Sequence, residues 1–149
     1  MQSPIQLLDQ KILRVYLDTQ EIKGDSLELE FGHAINVMPR DEEEGTWLVR
    51  LDVQFKSGKN TDAAPYIGEI SVVGIFSLDA SFPADKAEEM VHLNGGALLY
   101  GMARELLSNL TSRGIHGAII LPTLDARCFL PSDDNSPEAV AQSEGDPID

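Results

Sequence analysis

The sequence is short of the residues that most chemistry needs. One cysteine, Cys128, excludes an internal disulfide and a multi-cysteine metal site. Three histidines, His33, His92 and His116, are scattered, and none sits at helical spacing from a second histidine or from the cysteine. Ser71, Ser77 and Ser108 lack the setting of a nucleophile elbow. No apolar run approaches the ~20 residues that cross a bilayer. The start, Met-Gln-Ser-Pro-Ile-Gln-Leu-Leu-Asp, lacks the basic opening and apolar centre of a signal peptide, so a cytoplasmic protein is expected. Cations are also scarce. Against 25 Asp and Glu stand 11 Lys and Arg, a net charge of -14. Nucleic-acid binding depends on cationic side chains displacing counterions from phosphate, so a polyanion is a poor reader of nucleic acid. It fits an anionic membrane surface no better. Such a charge suits a protein that must stay dispersed, or one that meets a basic partner.

What remains is patterning. Leu13, Val15 and Leu17 alternate with Arg14, Tyr16 and Asp18, the period of a strand with one buried face. Gly24-Asp25-Ser26 marks a turn, and Leu27, Leu29 and Phe31 alternate with Glu28 and Glu30 in a second, shorter strand. A loop is expected from Gly32 to Gly45, with an apolar patch of Ile35, Val37 and Met38 ahead of the acidic run Asp41 to Glu44. That run lacks the alternating ligands and the glycine of a calcium loop. The clearest strand places Trp47, Val49, Leu51, Val53 and Phe55 on one face. Tyr66 to Leu78 becomes nearly continuous apolar from Ile70, as a central strand covered on both faces does, and Gly68 and Gly74 within it suggest bulges or close backbone approach.

Phe82-Pro83-Ala84-Asp85 opens a helix, with Glu88 and Glu89 near its positive end. Asn94-Gly95-Gly96 is read as a hinge, after which Leu98, Leu99, Met102, Ala103, Leu106, Leu107 and Leu110 recur at helical steps as far as Arg113-Gly114. The two glycines lack the preceding strand and the Lys-Ser of a phosphate cradle. Ile115 to Leu121 is expected to be extended, and Thr123 to Arg127 to manage a helical turn at most. The stretch after Pro131 carries six acids, no Lys or Arg and almost no large apolar residue, which predicts a disordered tail over 131–149 behind a domain over 1–130. Four strands followed by two helices predict an α+β fold, a four-stranded antiparallel sheet with two helices packed on it. Ile35, Val37, Met38, Met90, Val91 and Leu93 are apolar in places a core need not use, and Met-containing apolar surfaces bind many partners loosely.

Three segments also carry a resemblance: Gly-Glu-Ile-Ser-Val-Val-Gly-Ile-Phe-Ser-Leu at 68–78, Leu-Tyr-Gly-Met-Ala-Arg-Glu-Leu-Leu-Ser-Asn-Leu-Thr-Ser-Arg-Gly at 99–114, and Leu-Pro-Thr-Leu-Asp-Ala-Arg-Cys-Phe at 121–129. With Ile12-Leu13-Arg14-Val15-Tyr16 near the start, their order and spacing resemble the SecB protein-export chaperones. The resemblance implies the same α+β fold, no enzymatic activity, no metal and no cofactor. It implies an ATP-independent holdase for unfolded precursor proteins, assembled as a homotetramer (a dimer of dimers), that passes its clients to the SecA motor. The family's motor patch then falls on Ile67 and Glu69, with Asp18 beside it, and the client groove on Ile35, Val37, Met38, Met90, Val91 and Leu93. Thr19 stands where the family carries an acid, which favours the alternative of a SecB-like adaptor dedicated to one client such as an antitoxin.

Overall fold

The structure, a computed structural model, describes residues 1–22, 28–58 and 64–131. The expected acidic tail, apart from Pro131, and the expected turn at Gly24 to Ser26 lie outside them. Four strands, β1 (Ile5–Thr19), β2 (Glu30–Pro39), β3 (Thr46–Lys56) and β4 (Tyr66–Leu78), precede one helix, α1 (Ala87–Thr111). The sheet is antiparallel in the order β1-β4-β3-β2, so β4 and β3 are central and β1 and β2 form the edges. Opposed residues share a face. Trp47 and Phe76, Leu51 and Val72, and Val53 and Ile70 therefore look the same way, onto α1. Val49, Leu51, Val53, Phe55, Ile70, Val72 and Phe76 are buried there with Val91, Leu99, Ala103 and Leu107 of the helix. The reverse face carries Leu48, Arg50, Asp52, Gln54, Ile67, Glu69, Ser71, Val73 and Ile75, and no described element covers it, so β4 is central as expected but not covered on both faces.

Three sequence expectations need correction. The stretch expected as a loop from Gly32 is strand as far as Pro39, because β2 pairs residue for residue with β3 from Glu30↔Lys56 to Pro39↔Trp47. The alternation expected in β1 holds from Arg14 to Asp18, with Val15 and Leu17 on the α1 side, but fails at Leu13. Register shifts between Leu7 and Asp9 and between Ile12 and Arg14 leave Leu8 and Leu13 without an opposite residue, and they reset the faces of the strand. The third correction concerns the helices. The two-helix expectation becomes a single 25-residue α1 that runs through Asn94-Gly95-Gly96. Neither glycine has a positive φ. A Cβ on Gly95 would stand 3.1 Å from Val49 Cγ2, and one on Gly96 2.5 Å from Phe129 Cγ. The pair is a close-packing surface, not a hinge.

The close approach expected at Gly68 is present. A Cβ there would overlap the Tyr16 carbonyl of the neighbouring strand, which is main chain and cannot swing aside. Gly68→Ala should therefore part β1 from β4 and cost about 2–3 kcal/mol, a loss that urea titration of the full chain measures directly.

After α1 the chain returns over the covered face as a strap, residues 115–131, whose regular structure is limited to the single turn Ala126–Phe129. Side chains carry the hydrogen bonds that hold it. The Tyr66 hydroxyl donates to the Gly117 carbonyl (3.2 Å) and accepts from the His116 N–H (3.2 Å). Thr111 Oγ1 accepts from the Ile119 N–H (2.8 Å), and the Tyr100 hydroxyl donates to the Pro122 carbonyl (2.6 Å). Leu121 and Phe129 are its buried side chains.

Candidate functional site

Two surfaces hold the residues singled out from the sequence. On the uncovered face of the sheet, Asp18 is opposite Ile67, and the next pair along that face is Tyr16 with Glu69. The three expected motor-patch residues are thus brought together by strand register alone. Asp18 is exposed, and Ile67 and Glu69 are half-buried. Glu69 is not a bare charge. Its Oε2 lies 3.7 Å from Arg14 Nη1, and its Oε1 accepts from the Ser71 hydroxyl at 3.4 Å. Arg50 and Asp52 form a second pair on the same face, at 3.2 Å. The face mixes small and apolar side chains with the charge pairs Arg14–Glu69 and Arg50–Asp52 and the exposed Asp18.

The six groove candidates do not form one surface. Ile35 and Val37 lie on the covered face of β2 and pack against the edge of the core, as Met90 of α1 does. Leu93 is half-buried on the same helix. Val91 is wholly buried, a core residue rather than a contact for clients. Met38 is opposite Leu48 and so faces the other side of the sheet. Met90 is further fixed by Asn94, whose Nδ2 donates to the Met90 carbonyl at 3.1 Å.

Sequence reasoning left two other features unassigned. Of the twelve exposed large hydrophobic residues among those described, six lie on β1: Leu7, Leu8, Ile12, Leu13, Val15 and Tyr16. Leu7, Ile12 and Val15 are on the α1 side of the sheet, opposite Phe76, Val72 and Ile70, but α1 does not reach over them. Apolar residues on both phases of the alternation were the available signal. The second feature is the use made of histidine. Each imidazole donates to a main-chain carbonyl: His33 Nε2 to Cys128 (3.3 Å), His92 Nδ1 to Phe129 (2.9 Å) and His116 Nε2 to Gln20 (2.6 Å). A carbonyl has no proton to give, so each bond fixes the tautomer. Among the described residues no group of three His, Cys, Asp or Glu is placed to hold a metal ion, and no helix is long and apolar enough to cross a membrane.

The turn Ala126–Phe129 is capped by Asp125, whose Oδ1 accepts from the Arg127 N–H at 2.9 Å. The Arg127 guanidinium closes on the same carboxylate at 2.6 Å. These two hydrogen bonds, the guanidinium first, hold the Asp125 carboxyl down at about 2. A carboxylate whose pKa is depressed on folding stabilises the fold above its unfolded value, and that contribution is lost as pH falls through the folded value. The cap should accordingly be intact at neutral pH and loosen between about pH 4 and pH 2. Hydrogen exchange at the Cys128 amide should rise over that range in the native chain, and in an Asp125→Asn variant it should lack the step assigned to this group.

With this geometry in hand, comparison with known proteins is informative. A family model described as preprotein translocase subunit SecB matches residues 20–129. The chain belongs to the SecB family. Among solved structures, this SecB-family fold is similar to a Mycobacterium tuberculosis Rv1957 SecB-like chaperone in complex with a ChAD peptide from the Rv1956 HigA1 antitoxin. The TM-score is 0.67 at 16% identity, over 82% of this chain and 91% of that one. A Streptococcus agalactiae protein of unknown function is matched more loosely, with a TM-score of 0.46 at 11% identity, over 80% of this chain and 97% of that one. No match was found among curated proteins.

Proposed function

We propose that this SecB-family chain is an ATP-independent holdase. It keeps unfolded precursor proteins from aggregating, in the cytoplasm, and passes them to a SecA-type ATPase through the face built by Asp18, Ile67 and Glu69. The observation that carries the reading is the set of large apolar side chains left exposed on a chain of such high negative charge. Burial of apolar surface is non-directional and yields about 25 cal/mol per Å², so it tolerates many client sequences. The net charge of -14 keeps a loaded complex dispersed. The working form is a homo-oligomer, a tetramer built as a dimer of dimers, and the chemistry is binding rather than catalysis. Ile35, Val37, Met90 and Leu93 contribute to the client surface.

A second reading is favoured by one observation. Glu69 is already engaged by Arg14 and Ser71, so a motor's cation must compete with an internal one for it. A SecB-fold adaptor dedicated to one client, as in the mycobacterial complex with an antitoxin peptide, needs no such contact.

Light scattering separates the readings. A chemically denatured client is diluted into buffer with and without the chain, and without ATP. Suppressed aggregation at near-stoichiometric amounts, for two unrelated clients, is expected of a general holdase. If neither is protected while the chain stays folded, the adaptor leads. Glu69→Ala then tests the motor patch: unchanged binding to a SecA-type ATPase removes the role assigned to that residue.

A further inference from the structure

The uncovered face of the sheet gathers cations on a chain that has few. Lys11, Val73, Arg50 and Asn36 are successive partners across the four strands, a row with two cations and no acid. The adjacent row is Arg14, Ser71, Asp52 and Ala34. Three of the 11 Lys and Arg therefore stand around Val73, with Lys11 and Arg50 about 10 Å apart at two strand spacings. All three are exposed. Arg50 commits its Nε to Asp52 at 3.2 Å, Arg14 stands 3.7 Å from Glu69, and Lys11 stands 3.9 Å from Asp9. A guanidinium has five N–H donors, so one carboxylate contact does not exhaust it.

The strap brings the chain to the edge of this face. Phe129, just ahead of Pro131, packs on the His33 ring of the edge strand β2, with centroids 5.1 Å apart. Arg50 is the next strand in from that edge. Residues 132–149 then carry Asp133, Asp134, Glu138, Glu144, Asp146 and Asp149 and no Lys or Arg. From Pro131 to Glu138 the extended reach is about 23 Å, enough to round one strand edge and meet Arg50 and Lys11. On the covered side the exit meets an acid instead. Glu88 lies 3.7 Å from His92, the residue that binds the Phe129 carbonyl.

We propose that the acidic segment 132–149 turns back over the β2 edge and docks on the cluster of Lys11, Arg14 and Arg50, as an internal cover for the bare sheet face. Each contact is a weak surface ion pair. A tethered segment nevertheless meets the cluster at an effective concentration near millimolar, so weak pairs suffice. Such docking weakens with salt, since the Debye length falls from about 10 Å at 0.1 M to about 3 Å at 1 M. Arg14 is shared with Glu69, so a docked segment lies against the residues assigned above to a motor contact. The effect on motor binding rests on that reading; the docking itself does not.

The experiment uses the full chain with a nitroxide at Ala139→Cys in a Cys128→Ser background, and reads the methyl signals of Ile, Leu and Val. At about 20 mM NaCl the Val73 and Ile75 methyls are expected to lose about half their intensity relative to the reduced label, and to recover at about 0.5 M. The Leu107 methyls, buried behind the sheet, are the reference. Lys11→Gln with Arg50→Gln, or conversion of the six acids of the segment to their amides, should restore Val73 at low salt. Val73 signals untouched at low salt, or a loss that survives high salt, overturns the proposal. A loss that vanishes when the labelled chain is refolded with excess unlabelled chain assigns the segment to a neighbouring copy and overturns the internal cover. With a SecA-type ATPase as the probe, the six-amide variant should bind about fivefold more tightly, as when the face is free in about one molecule in five. If Val73 reports docking and that affinity does not change, the cover stands and the motor reading of the face fails. If Glu69→Ala weakens binding while Val73 reports no docking, the motor reading stands and the cover fails.

Discussion

Phe129→Ala should lower the unfolding free energy by about 3–5 kcal/mol, the usual loss when a large buried aromatic is truncated and its site cannot close. The site has little means of closing. Gly96 offers no side chain to move in, and His33 and His92 are tied to the main chain of the turn itself. A domain of this kind holds about 5–15 kcal/mol in all, so the loss is a large part of the whole. Urea titration with far-ultraviolet dichroism checks it, with an unchanged m-value as evidence that the same surface unfolds. A loss below about 1 kcal/mol would mean that the ring is held loosely and the pocket collapses without it.

The sheet was legible in the sequence where one face is buried without interruption. β3 shows this best: Val49, Leu51, Val53 and Phe55 alternate with Arg50, Asp52 and Gln54 because α1 covers one face and nothing described covers the other. β4 was legible as central because its apolar run continues across both phases, though its second face is only half-buried. β1 was legible only from Arg14 to Asp18, since Leu8 and Leu13 fall at register shifts that period-two reading cannot anticipate. The glycines misled for a related reason. Gly95-Gly96 has the composition of a hinge, yet what fixes it is contact with Val49 and Phe129, one distant upstream and the other downstream, and no local pattern contains that information. The residues expected to form a motor patch fell together because alternation within β4 and pairing with β1 decide their face. The groove candidates scattered because their grouping rested on composition: Val91 and Met38 are apolar neighbours of the right residues in sequence and belong to the core and to the opposite face in space. His33, His92 and Phe129 are far apart in the chain and carry no shared motif. Only the fold assembles them.

Leu8→Asp with Leu13→Asp should convert a homo-oligomer into 16.3 kDa single chains. The argument starts from the position of β1. It is an edge strand of 15 residues, it carries half of the exposed large hydrophobic side chains among the described residues, and its inward face near Ile12 and Val15 is not covered by the helix. A long apolar edge with unpaired main-chain groups recruits another strand, and an antiparallel partner related by a two-fold axis can be a second β1. Leu8 and Leu13 are suited to the test because both are exposed and neither has an opposite residue on β4, so their replacement leaves the internal ladder alone. In a two-fold interface each substitution acts twice. Four apolar side chains at about 1.5 kcal/mol each amount to roughly 6 kcal/mol, some four decades in dissociation constant, before the repulsion of four new carboxylates is added. Light scattering coupled to gel filtration gives the mass of each form, and dichroism confirms that the variant keeps its fold. A native chain that is already single, or a variant whose mass does not fall, removes β1 as the contact between copies. A fall to half the native mass rather than to a single chain would place one of two interfaces on β1 and require a second elsewhere, for which the exposed Leu98 and Leu110 of α1 are the available apolar surface.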